Sequence, residues 1–344
     1  MKRFFEFVWP VIGLAAVILS IFLLYQQFRG EAVGPHIWAQ LRAIPPHRYM
    51  FAILATLAAY AALAWYDRIA LTHLGIKHIS WTFVALCSFT TYALAHNIGA
   101  SVFSGAMVRY RAYRTKGLTP AEITILVGLC SLTFGLGVLL VGGFVLVIEP
   151  TQLHRSAGLL PSFLTHPTTA RTVGFISLGL VLAYAIGSIF KLPPFRVGSF
   201  RIEYPRPGIA VQQFLAASTE LIGGAGIIYF ALPQNGNPGF FPVLAVFVAS
   251  FSVALASNAP GGLGVFELLF IKAMPAVAPL NVLTALLVFR LFYLLLPLAF
   301  ALVVVVLFER RKFAEALSQN AHPTPGQTEK NLDKRKDQER ASAS

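Results

Sequence analysis

The chain has 344 residues, 56% of them hydrophobic and only 12% charged, a balance that excludes a soluble domain of this size and indicates an all-α polytopic membrane protein. Its net charge of +13 is spread through short loops between apolar runs, which fits the positive-inside rule and anionic lipid headgroups and argues against nucleic acid as a partner. The two cysteines, Cys87 and Cys130, lie in apolar runs without metal-ligand spacing and read as packing residues.

In chain order, the first apolar run, Phe4 to Leu24, follows Lys2-Arg3. It has spanning length and no small-residue cleavage site, so it reads as a retained first helix rather than a signal peptide. Further runs fall at about 49–66, 81–108, 121–148, 172–190, 210–232, 240–275 and 282–308. The run from Trp81 has Arg68 and Lys77 before it and Arg109, Arg111, Arg114 and Lys116 after it. Both ends carry the cytoplasmic signal, which a single crossing cannot do. Residues 81–112 are therefore expected to enter, break near Asn97 to Gly99, and return.

The run at 240–275 is flanked by uncharged stretches, Pro233 to Pro238 and Pro275 to Leu280, and is expected to enter from the outer side. The predicted architecture is about six full spanning helices plus two opposed re-entrant hairpins. Fifteen Lys and Arg then fall near the cytoplasmic face, against five in outer loops (Arg29, Arg42, Arg48, Arg155 and Arg171), so both termini are expected in the cytoplasm. Each half would hold three crossings and one hairpin. An odd number of crossings inverts the second half relative to the first, as in many transporters. The expected domains are an integral membrane region over 1–312, with repeat halves at about 1–150 and 171–312, and a disordered cytoplasmic tail over 313–344.

The two expected breaks repeat each other. Ala93-Leu94-Ala95-His96-Asn97-Ile98-Gly99 and Ala254-Leu255-Ala256-Ser257-Asn258-Ala259-Pro260-Gly261-Gly262 both interrupt apolar sequence with residues that free backbone groups from helical pairing. Lipid cannot satisfy those groups, so such breaks survive at depth only against protein or a water-filled cavity. Matched breaks, one per half, point to a substrate site.

Ionisable groups within spans are costly and so are candidate site residues. Glu220 lies near the middle of its segment, Glu267 just after the Pro260–Gly264 break, and Arg290 inside the last span with Tyr293 and Pro297 on its face. Glu220 reads equally as a packing-fixing hydrogen bond or as a functional carboxylate; Glu267 and Arg290 could pair with each other. Arg109 to Lys116 reads as a topology signal, with headgroup binding as the sharper alternative. His96 reads as a hydrogen-bonded interior histidine, and Gly135, Gly137, Gly142, Gly143, Gly223, Gly224 and Gly226 as close-packing positions. No second His or Cys stands at metal spacing, so no metal or cofactor is expected. The sequence contains no nucleophile elbow, His-Glu-x-x-His or P-loop. An intramembrane enzyme using His96 and Glu267 remains a minor alternative.

At these residues the chain resembles the transmembrane, flippase-like region of lysylphosphatidylglycerol synthases and the stand-alone inner-membrane proteins made of that region alone. The resemblance runs over about residues 1–312. It rests on Asn97, Gly99 and Gly105; on Arg109-Tyr110-Arg111-x-Tyr113 with Gly117-Leu118; on Pro260-Gly261-Gly262-Leu263-Gly264-Val265-Phe266-Glu267; and on Arg290-Leu291-x-Tyr293 with Pro297. In the bifunctional relatives a soluble aminoacyl-transfer domain follows this region. That domain is absent from this sequence, so the resemblance implies a non-enzyme that binds or translocates a phospholipid headgroup of phosphatidylglycerol type.

The expected site comprises Asn97, Arg109, Arg111, Glu220, Asn258, Gly261, Gly262, Glu267 and Arg290, with no catalytic residue. Arg109, Arg111 and Arg290 would meet phosphate, while Glu220 and Glu267 would balance charge, meet a cationic headgroup moiety or carry a coupling proton. Asn97 and Asn258 would satisfy backbone or headgroup. Inner-membrane phospholipids are the expected partners, with lipid-synthesis enzymes as further candidates. Two other classes stay open: a secondary transporter of a small polar solute, and a non-transporting scaffold of lipid metabolism.

Overall fold

The computed structural model describes residues 33–98, 101–150, 166–192, 195–197, 200–202, 204–256 and 260–321. The first apolar run, Asn258, Gly99 and residues 322–344 lie outside the described residues. The fold is all-α and polytopic: among the described residues five helical stretches are long and apolar enough to cross a membrane, Pro46–His73, Pro120–Ile148, Pro167–Ile189, Pro207–Ala231 and Pro279–Arg310. Each starts at a proline, whose missing N–H costs nothing in a first helical turn.

Helix α1 (Val33–Ala43) precedes α2 (Pro46–His73). Helices α3 (Trp81–Ile98) and α4 (Ser101–Arg114) form the first broken pair. The next span is α5 (Pro120–Gly137), a π-helical turn (Val138–Gly142) and α6 (Gly143–Ile148). Thr119 opens α5 with a capping box, its hydroxyl accepting from the Glu122 N–H and its own N–H donating to the Glu122 carboxylate. Helix α7 (Pro167–Ile189) leads through a short antiparallel ribbon, β1 (Phe195–Val197) with β2 (Phe200–Ile202), into α8 (Pro207–Ala231). The second broken pair is α9 (Phe240–Ala256) and α10 (Val265–Ala273), with a 3₁₀ turn at Pro260–Gly262 between them. The last span is α11 (Pro279–Phe289), a π-helical turn (Arg290–Leu295) and α12 (Leu296–Ala321). The main body ends at Ala301, and a second unit begins at Leu302.

Two expectations shift. Helix α1 falls in a stretch read as an outer loop, because eleven residues are too few to register as a span. The terminal helix continues to Ala321, past residue 313 where the tail was expected to begin.

Helices α2 and α8 form the centre and run antiparallel. At one end Arg48 donates to the carbonyl oxygens of Leu232 (2.6 Å) and Tyr229 (3.4 Å), capping α8 from the first turn of α2; in the opposite half Tyr66 meets Glu220. Arg48 is thus a buried cap and not a loop charge. Their backbones approach closely at Gly223, where a Cβ would lie 2.8 Å from the Ala55 carbonyl oxygen. Gly137 serves the α5–α8 contact, a Cβ there falling 2.5 Å from that of Ala217, whereas Gly135 faces open space.

The first broken pair begins and ends at the C-terminal end of α2. Arg68 donates to the Ile79 carbonyl (3.2 Å), and His78 Nε2 donates to the Lys116 carbonyl (3.1 Å) across the mouth of the hairpin. The second begins and ends at the other end of α2. The Tyr229 and Phe240 rings meet at 5.5 Å, Thr284 of α11 bonds Gln40 of α1 (3.2 Å), and a small cavity there is lined by Ile44, Arg48, Leu232, Gln234, Asn281 and Thr284. The hairpins therefore oppose each other. Their tips meet: a Cβ on Gly261 would lie 4.0 Å from the His96 carbonyl oxygen.

The element order from Pro46 to Ile148 (span, broken hairpin, span with a π turn) recurs from Pro207 to Ala321. The repeated π turns add a parallel that the sequence does not display.

Candidate functional site

At the meeting point of the tips, the chain breaks because Gly261, Gly262 and Gly264 take φ of 61°, 63° and 80°, a region that disfavours a Cβ. The break releases backbone groups, and two charged side chains collect them. Glu267, in the first turn of α10, accepts from the Gly264 N–H (2.8 Å) through Oε2 and from Arg290 Nε (2.5 Å) through Oε1. Arg290 Nη1 donates to the Gly261 carbonyl (3.2 Å). Both side chains are buried. The carboxylate also sits where a helix N-terminus favours negative charge. The pair ties the break to the last span and brings Gly261, Glu267 and Arg290 into one cluster; Gly262 is adjacent, its Cβ position 2.8 Å from that of Ala254.

Arg290 opens the π turn, whose widened backbone leaves carbonyls without helical partners. Two of these are met from the first half of the chain. Asn97 Nδ2 donates to the Leu294 carbonyl (3.2 Å) and to that of Ala93 (2.7 Å), and Tyr60 donates to the Tyr293 carbonyl (2.9 Å). Asn97 thus satisfies backbone, as its residue type suggests. Its Oδ1, though buried, has no partner.

His96 is also buried and is packed rather than hydrogen-bonded. Its ring stacks on Tyr293 (5.5 Å between centroids, 18° between planes), meets Phe251 and Tyr92, and leaves Nδ1 without a partner. The expected interior hydrogen bond is not made, because Tyr293 presents its ring and not its hydroxyl.

Glu220, one helix away, accepts from the hydroxyls of Tyr66 and Tyr293, the latter at 3.5 Å. Tyr60 and Tyr293 pack ring to ring at 5.6 Å, so the carboxyl sits in a tyrosine cage.

Arg109 departs from its expected role. Its guanidinium bonds Asp67 through Nη2 to Oδ1 (2.6 Å) and through Nε to both carboxylate oxygens (3.1 and 3.2 Å). Tyr113 and Cys130 also donate to Asp67, at 3.0 and 3.4 Å, and the Tyr92 ring lies beneath the Arg109 cation at 4.9 Å. Arg109 is held in a buried ion pair with Asp67. Asp67 directly follows the apolar run at 49–66 in sequence, yet it lies inside α2 with 0% exposure. Arg111 is half-buried in the last turn of α4, apart from the Glu267–Arg290 cluster, and Arg114 caps its own chain by donating to the Leu118 carbonyl (3.1 Å).

Sequence reasoning missed Asp67, Tyr60, Tyr66 and Arg48. Only Asp67 left a signal, as a carboxylate directly after the apolar run at 49–66.

Two proteins are similar to the chain over most of its length. The uncharacterized protein slr0712 of Synechocystis is 28% identical over 303 residues, covering 87% of this chain and 90% of that protein. The inner membrane protein YbhN of Escherichia coli is 25% identical over 295 residues, covering 85% of this chain and 89% of that protein. No family model matches. The chain is a membrane protein, similar over most of its length to an inner membrane protein.

Proposed function

We propose that this protein is an inner-membrane flippase-like carrier that moves an anionic phospholipid headgroup of phosphatidylglycerol type between leaflets, with residues 1–312 as its membrane domain and both termini cytoplasmic. The observation that carries the reading is the meeting of two opposed broken hairpins at a buried Glu267–Arg290 pair bonded to the break itself. Broken helices that face each other at depth form the binding sites of alternating-access carriers.

The pair also suits an exchange step. Stripping one partner from a buried ion pair leaves an uncompensated charge and costs about 3–5 kcal/mol. A lipid phosphate presented to Arg290 replaces Glu267 Oε1 with an anionic acceptor that can take both guanidinium N–H groups, so that cost is largely avoided. Glu267 keeps the Gly264 N–H and the α10 N-terminus meanwhile, or takes a cationic headgroup moiety.

A groove of about 330 Å³ running along the second hairpin favours lipid over a polar solute. It is lined by Val138, Leu139, Leu146, Val248 and Val253, with Glu149, Ser177, Ser250 and Ser252 as its polar members, a largely apolar wall that matches an acyl chain. The resemblance to lysylphosphatidylglycerol synthase membrane regions and the similarity to an inner-membrane protein agree with this reading, and lipid-synthesis enzymes are the natural neighbours. No aminoacyl transfer is proposed.

Leaflet exchange of fluorescent phosphatidylglycerol in proteoliposomes tests it. Wild type should accelerate exchange over protein-free vesicles, and Glu267→Gln should slow it by about tenfold or more, the loss of about one charge-assisted interaction. Wild-type exchange no faster than in protein-free vesicles, from protein shown to be folded, would sink the proposal.

A further inference from the structure

Glu220 is buried, and among the described residues no Lys, Arg or His pairs with it. Its neighbours are phenols: Tyr60 and Tyr66 from α2, Tyr293 from the π turn, and Tyr92 of α3 within electrostatic range. Among the described residues the other elements packed on α8 present no charged group to it: Gln213 accepts from the Tyr184 hydroxyl of α7 and donates to Thr133, and Cys130 is turned to Asp67. A carboxylate in such a site has no counter-charge, and the cheapest one available at membrane depth is a proton. The two other buried carboxylates described above, Asp67 and Glu267, each have an arginine. Glu220 alone of the three is left free to change protonation state without breaking an ion pair.

Packing, through Tyr293, links it mechanically to the tips. Tyr293 bonds Glu220 through its hydroxyl and stacks on His96 through its ring, and His96 carries a buried, unpartnered Nδ1 and a carbonyl beside Gly261. The same tyrosine follows Arg290 by three residues, so any shift of the π turn that frees Arg290 also moves a hydrogen-bond donor of Glu220.

We propose that Glu220 is the proton-binding carboxyl of this carrier, taking up one proton with each anionic headgroup. The proposal rests on the lipid reading above. The step is a proton transfer only: an O–H bond forms on a Glu220 oxygen with a proton from water on one side, and breaks to water on the other. One proton carried with one monoanionic headgroup makes the movement electroneutral, so the pH gradient and not the membrane potential drives it.

Two measurements on the full-length protein test this. Infrared difference spectra of the purified protein across a pH titration should show a protonated-carboxyl C=O band that Glu220→Gln removes and that Tyr66→Phe displaces, since it loses one hydrogen bond to the same carboxyl. In proteoliposomes with the potential clamped, fluorescent phosphatidylglycerol should accumulate in the leaflet facing the alkaline side, by up to about tenfold per pH unit for one proton per headgroup. In Glu220→Gln the distribution should ignore the gradient. Absence of the band, or wild-type exchange whose distribution ignores the gradient, overturns the proton proposal and leaves the lipid reading standing. No wild-type exchange under any gradient overturns the lipid reading, and this coupling with it.

Discussion

Replacing Arg109 with Ala should destabilise the fold rather than abolish a headgroup contact. Asp67 has 0% exposure and Arg109 4%, and three of the hydrogen bonds at the carboxylate come from that one guanidinium. Removing it leaves a buried carboxylate with, among the described residues, only Tyr113 and Cys130 as donors. Breaking a buried pair from one side costs about 3–5 kcal/mol, a large share of the stability of an ordinary domain. The double change Asp67→Leu with Arg109→Met removes both charges and should recover most of that loss. Reversible unfolding in mixed micelles measures this, and the buried thiols of Cys87 and Cys130 report it directly by becoming reactive to a maleimide dye. If Arg109→Ala unfolds within about 1 kcal/mol of wild type, the level of an exposed ion pair, the pair is not structural and the reasoning fails. Lost lipid exchange at unchanged stability would restore the phosphate-contact role.

Arg48→Ala should cost about 1–3 kcal/mol in the same assay, because it strips the donor from the carbonyls that end α8. Gly262→Ala should destabilise by more than Gly264→Ala. Both sites have positive φ, worth about 1–3 kcal/mol of strain for a residue with a Cβ, but only at Gly262 would the new atom also press on Ala254, at 2.8 Å. Cysteines introduced at Lys116 and Gln234 should label from opposite sides of a sealed vesicle, since the two hairpins open at opposite ends of α2; labelling from one side would contradict the opposed arrangement.

What the sequence discloses here follows from what lipid imposes. Apolar runs long enough to span announce themselves, and the first hairpin is legible because Arg68 and Lys77 on one flank and Arg109 to Lys116 on the other cannot stand on opposite faces under the positive-inside rule. The two breaks are legible because Asn, Pro and Gly inside apolar sequence need a reason, and from that position the pairing of Glu267 with Arg290 could be anticipated. The Asp67–Arg109 pair could not. Forty-two positions separate its partners, no periodicity links them, and a carboxylate beside an arginine at the edge of an apolar run looks like the first residue of a loop. The π turns at Val138–Gly142 and Arg290–Leu295 leave no compositional trace either. The second depends on a widened hydrogen-bond register whose carbonyls are rescued by Asn97 and Tyr60, side chains nearly two hundred residues away or more.

The central claim is that a headgroup passes between the hairpin tips beside Glu267 and Arg290. Phosphatidylglycerol with a photoreactive headgroup, crosslinked in proteoliposomes and mapped by mass spectrometry, tests it most directly. Crosslinks in peptides spanning His96 to Ile98 or Pro260 to Glu267, suppressed by excess unlabelled phosphatidylglycerol and reduced in Arg290→Gln, are the predicted result. Crosslinks confined to outward-facing positions such as Phe175 and Leu182 of α7, insensitive to competitor, would contradict it.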